Sequence, residues 1–249
     1  MTWVNDGRIK KFAALMISYA ILIAALRIFK FSGTAGVITV AVAYALAVLF
    51  VMHFTKDKYP EGAEGEYEAR CGENICEHCG TYGKAYCKCG ILIRVKKYIG
   101  RNRLRRIIAS AMAFAAVLGV SVLISAVTVG KNIPVDNFSF EGKTPFFAFL
   151  SASALIFRHV LVPALCEEIY FRKVFIFTLT DGCGRSFLFS AVLSSMLFAA
   201  MHGAGVAPAV FAFVSGLLLS FLIYVTDSVT YCCAVHFTYN LIALIAAVI

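Results

Sequence analysis

Four stretches of this chain, 35–54, 107–130, 206–226 and 229–249, contain no Asp, Glu, Lys or Arg. A run of about 20 apolar residues matches the hydrocarbon thickness of a bilayer when wound as a helix. Three further apolar stretches, 12–26, 146–180 and 187–201, are shorter or interrupted by charge. The chain is 61% hydrophobic and 15% charged, with a mean hydropathy of +0.83, which excludes an ordinary water-soluble domain. The expectation is an all-α polytopic transmembrane helical bundle of about seven spans. The first run is closed by Arg27 and Lys30, and a second apolar run follows at once. It therefore reads as a transmembrane helix and not as a cleaved signal peptide.

Between the second and third long runs the composition changes. Residues 55–106 hold twelve Lys or Arg and seven Asp or Glu, and 94–106 hold seven cations and no acid. This divides the chain into two N-terminal transmembrane helices (1–54), a water-exposed insert with a basic juxtamembrane run (55–106), and a transmembrane core (107–249). The positive-inside bias places the N-terminus and the insert in the cytoplasm. The same bias, with attraction to anionic headgroups of the lipid bilayer, accounts for the net charge of +9, so no nucleic-acid partner is expected.

Five of nine cysteines lie in the insert. Cys76 and Cys79 precede Gly80, and Cys87 and Cys89 precede Gly90. Thiolates two or three positions apart on a tight turn can converge on one tetrahedral zinc ion. The insert is too small and polar to bury a core, so a structural zinc knuckle on these four cysteines would explain how it folds. Cys71 and His78 are substitute ligands. Four protein ligands leave no open position for water, so this zinc would be structural and not catalytic.

Three polar marks interrupt the apolar half. Glu167, Glu168 and Arg172 sit inside the fourth run, where an ionised group needs a partner or a purpose. Glu168 and Arg172 are four residues apart, so one helical face would pair them. Glu167 points elsewhere and is left free. His202 ends the next run, and His236 and Asn240 share a face of the last. Each mark alone suits an interhelical hydrogen bond as well as a reaction. Three of them on successive segments favour a dispersed site.

At these residues the chain resembles the CPBP family of membrane proteins, which includes CAAX-type prenyl-protein endopeptidases and bacteriocin-processing or Abi proteins. The first family motif falls on Glu167, Glu168 and Arg172, the second on Phe198 and His202, and the third on His236 and Asn240. Lys173 stands where the family commonly has glycine, and Asp227 precedes Ser228 where glycine is usual. The resemblance implies an intramembrane endopeptidase of a prokaryotic cell membrane, acting on a peptide or lipidated protein substrate. Glu167 would activate water with the help of His202, His236 and Asn240 would stabilise the oxyanion, and Glu168 with Arg172 would hold the helix. Whether a catalytic metal takes part stays open. The absence of a compact HExxH motif favours a metal-free water. The alternative reading is a non-catalytic immunity or scaffold protein that binds a partner through the cavity and the zinc knuckle.

Overall fold

The structure is a computed structural model and describes residues 6–28, 34–54, 95–96, 98–100, 102–127, 144–183, 185–202 and 205–248. Cys76, Cys79, Cys87 and Cys89 lie outside the described residues, as does the rest of the expected knuckle. Among the described residues every regular element is helical. In chain order these are α1 (Asp6–Ile28), α2 (Thr34–Phe54), α3 (Arg103–Val127), α4 (Pro145–Ile156), π1 (Phe157–Leu161), α5 (Val162–Glu167), π2 (Glu168–Phe175), π3 (Thr178–Gly182), α6 (Phe187–Met201), α7 (Val206–Thr226) and α8 (Val229–Val248).

Among the described residues three helices are long and apolar enough to cross a membrane: Arg103–Ala126, Val206–Thr226 and Val229–Ala246. Ile38–His53 and Phe187–Met201 are shorter apolar helices. Met112, Val122 and Leu123 of α3 and Val206 of α7 are largely exposed. In water such a surface would aggregate, but in a bilayer it meets acyl chains. The protein is an integral membrane protein.

The elements from α4 to π3 follow one another with helical dihedrals at each junction, so 145–182 form one long rod. Pro145 opens it after an extended Thr144, where a missing N–H costs nothing. The wider π winding places more residues along a given length than α-helix does, and π stretches gather at functional positions. Sixteen α-helical residues would hold Glu167 about 24 Å from Cys183. The π stretches shorten that distance, which helps level Glu167 with His236, a residue close to the Asp227 turn in sequence.

Around this rod α1 and α2 pack as a pair, α1 against π3 and α2 against α5 and π2, and α7 packs against α3, α6 and α8. One apolar core joins Leu15, Tyr19 and Leu22 of α1, Tyr44, Ala47 and Val51 of α2, Tyr170, Phe171 and Phe175 of π2, and Phe198 of α6. A second joins Leu219, Leu222 and Ile223 of α7 to Cys232 and Val235 of α8. The α6–α7 contact is close at Gly216, where an added Cβ would stand 3.1 Å from Ser195 Cβ. Small residues allow such approach where lipid gives helices little hydrophobic reason to associate. Gly216→Val should force these helices apart and cost about 1–3 kcal/mol, read as a lowered Tm of the purified protein in detergent.

Asp227 ends α7 in the left-handed region at φ 55°, with its N–H donating to the Ile223 carbonyl at 2.8 Å. An aspartate therefore holds the backbone state that glycine adopts without cost. Lys96 Nζ lies 3.6 Å from its carboxylate, both groups being about half exposed. Asp227→Gly should leave Tm nearly unchanged, while Asp227→Val should destabilise by about 1–2 kcal/mol.

Candidate active site

Glu167 closes α5 and Glu168 opens π2. Glu168 and Arg172 are both fully buried, with Arg172 Nε 3.2 Å from Glu168 Oε2. This is an ion pair by proximity, since Nε, Nη1 and Nη2 of Arg172 make no hydrogen bond among the described residues. The guanidinium instead lies 4.6 Å from the ring centroid of Phe198. An arginine over an aromatic face gains a cation–π attraction that strengthens when water is excluded.

The other oxygen of Glu168 belongs to α8. His236 Nδ1 lies 2.9 Å from Glu168 Oε1, so the same carboxylate ties both the arginine and the histidine. His202, at the end of α6, directs Nδ1 to its own Phe198 carbonyl at 2.9 Å. Ser194 Oγ donates to the Phe171 carbonyl at 2.9 Å, which pins α6 to π2 one turn before Phe198. The ring of Phe198 lies 4.4 Å from that of His202 and 6.3 Å, edge-on, from that of His236. Phe198 is thus a wall shared by three of the polar residues.

Glu167 Oε2 stands 3.9 Å from His202 Nε2 and 3.9 Å from His236 Nε2, and makes no hydrogen bond among the described residues. The structure therefore brings Glu167, His202 and His236 to one point, with Glu168 and Arg172 directly behind. Asn240 lies one turn beyond His236 on α8, half-buried. Side-chain exposure is graded: 0% for Glu168, 13% for Glu167, 10% for His236 and 39% for His202. The ion pair is sealed, and His202 is the most exposed of the four.

The partners settle the tautomers. A carbonyl oxygen only accepts, so His202 carries hydrogen on Nδ1, and an ionised Glu168 requires the same of His236. In their neutral forms both Nε2 atoms are then bare. Three acceptors face one another. One water can donate to two of them, and the third is satisfied when one of the three groups carries a further proton. With Arg172 balancing Glu168, that one proton also brings the buried cluster to zero net charge, the least costly state in a low-dielectric interior. For His236 to donate from Nε2 to an oxyanion, it must be the group that holds this proton.

The match to a known family falls on this same part of the chain. Residues 149–242 match the family model described as type II CAAX prenyl endopeptidase Rce1-like. These residues are similar to that family. The match spans less than half of the chain, and it takes in Glu167, Glu168, Arg172, His202, His236 and Asn240 while leaving out α1, α2, the insert and α3. No curated protein and no solved structure matches the chain. The family model is named for an endopeptidase, which supports a hydrolase at that coarse level.

Sequence reading passed over Tyr44, which is buried on α2 in the core behind the site. Its spacing with Ala47 and Val51 marks an inward face and was the available signal. Among the described residues no group of three His, Cys, Asp or Glu is arranged to hold a metal ion.

Removing one partner of the buried pair leaves the other charge stranded. Arg172→Met should cost about 3–5 kcal/mol, whereas Glu168→Gln combined with Arg172→Met should recover part of that loss. Thermal unfolding of the three proteins in detergent provides the comparison.

Proposed function

We propose that this protein is an intramembrane endopeptidase that hydrolyses peptide bonds of membrane-associated substrates with a water activated by Glu167 and His202. The observation that carries this reading is the convergence of Glu167 Oε2 with two imidazole Nε2 atoms at 3.9 Å. Atoms so spaced can each stand about 2.8 Å from one water oxygen. Nitrogen and oxygen ligands held about 2.0–2.1 Å from a tetrahedral zinc would lie nearer to one another, about 3.4 Å apart. The reading is of a metal-free water, in keeping with the absence of a compact HExxH motif from the sequence.

Glu167 takes a proton from that water as its oxygen attacks the scissile carbonyl carbon. Desolvation strengthens a carboxylate in that task. His236, holding the cluster's extra proton on Nε2, donates to the oxyanion, and the Asn240 amide donates beside it. The protonated Glu167 then passes its proton to the leaving amine. Glu168 holds His236 in the tautomer this requires, and Arg172 keeps Glu168 ionised.

The membrane setting of this reading is a bundle of about seven spans with a cytoplasmic N-terminus and insert. Cys183 Sγ donates to the Arg8 carbonyl, Phe187 stacks near Tyr224, and Lys96 lies over Tyr224. These contacts gather the start of α1, Cys183, the start of α6, the end of α7 and Lys96 at one end. A cationic end of this kind favours the cytoplasmic face. Substrates are peptides or lipidated proteins reached from that side, in a cell membrane of prokaryotic type. A structural zinc on Cys76, Cys79, Cys87 and Cys89 completes the insert.

Purified protein in liposomes should cleave a farnesylated CAAX peptide, and Glu167→Gln should lower kcat by about 10²–10⁴-fold with little change in Tm. Equal cleavage by both proteins would refute the role of Glu167. Elemental analysis should find one zinc per chain, absent when Cys76 and Cys79 are both replaced by serine. The serine variant should keep its turnover in chelator.

A further inference from the structure

Helix α2 turns Tyr44, Ala47 and Val51 into the core, all nearly inaccessible. The ring of Tyr44 stands edge-on to that of Tyr170, with centroids 6.0 Å apart, and α2 packs along both α5 and π2. A phenylalanine would fill the same space. The hydroxyl adds a donor that opposes folding when it is buried without an acceptor, and Tyr44 Oη is buried with no hydrogen bond among the described residues.

The neighbouring hydroxyls are already engaged. Tyr170 Oη shares a hydrogen bond with Ser18 Oγ at 2.8 Å, and Tyr19 Oη donates to the Leu197 carbonyl at 2.7 Å. Helix α5, against which α2 packs, ends in Cys166 and Glu167. A thiol is a weak acceptor. Glu167 is the strong acceptor that remains, and its own Oε2 is buried and unpartnered.

We propose that Tyr44 is a positioning residue for Glu167. Its O–H donates to a water that in turn donates to the Glu167 carboxylate, and this bridge holds the carboxylate where Oε2 faces His202 and His236. The inference rests on the proposed role of Glu167. It also gives the N-terminal pair α1–α2, which lies outside the family match, a part in the site. The pair brings a buried aromatic donor to the helix that ends at Glu167.

Tyr44→Phe keeps the ring and removes only the donor. In liposomes it should lower kcat about tenfold while leaving KM and Tm unchanged, and 4-aminophenylalanine at position 44 should restore most of the rate. Unchanged kcat, or a kcat loss matched by a fall in Tm, would overturn the proposal. A second measurement needs no cleavage. Tm values of Tyr44→Phe, Glu167→Leu and the double variant should depart from additivity by about 2 °C or more. Additive shifts would overturn the coupling. An active-site failure reads differently, because the wild type would then cleave nothing while the stability coupling persisted.

Discussion

The structure depends on one buried carboxylate having two partners. Glu168 meets Arg172 on its own helix and His236 on the last helix, all three within the apolar interior. Neither charge would be tolerable alone, and together they tie π2 to α8. Phe198 extends the same connection to α6 by lying under the guanidinium and beside both imidazoles. Three helices are fixed relative to one another by a few polar groups, which is what a dispersed site in lipid requires.

The same network decides what chemistry is available. By holding Nδ1 of His236, Glu168 dictates that Nε2 faces Glu167, and the Phe198 carbonyl does the same for His202. Such partners set both the orientation and the proton inventory of an imidazole. A cluster with two glutamates, one arginine and one extra proton is neutral. It can pass that proton among water, carboxylate and imidazole without ever carrying net charge in the membrane interior.

Much of this was legible in the sequence, and the limits are physical. The i, i+4 spacing of Glu168 with Arg172 and of His236 with Asn240 places each pair along one helical face whatever the tertiary packing. Runs of uncharged residues announce helices, although only α3, α7 and α8 have the length and composition of full spans among the described residues. The π stretches were not legible, because no residue type encodes a wider turn. Nor was the second partner of Glu168, which lies 68 positions away. Tyr44 was hidden for another reason: in an apolar helix a tyrosine reads as packing until its hydroxyl is found without a partner.

The most direct test of the account is to incubate the purified protein with a membrane peptide in ¹⁸O-labelled water and weigh the products. A water activated at Glu167 predicts one heavy oxygen in the new carboxyl terminus of the amino-terminal fragment. An intact peptide, or a fragment without heavy oxygen, would contradict it.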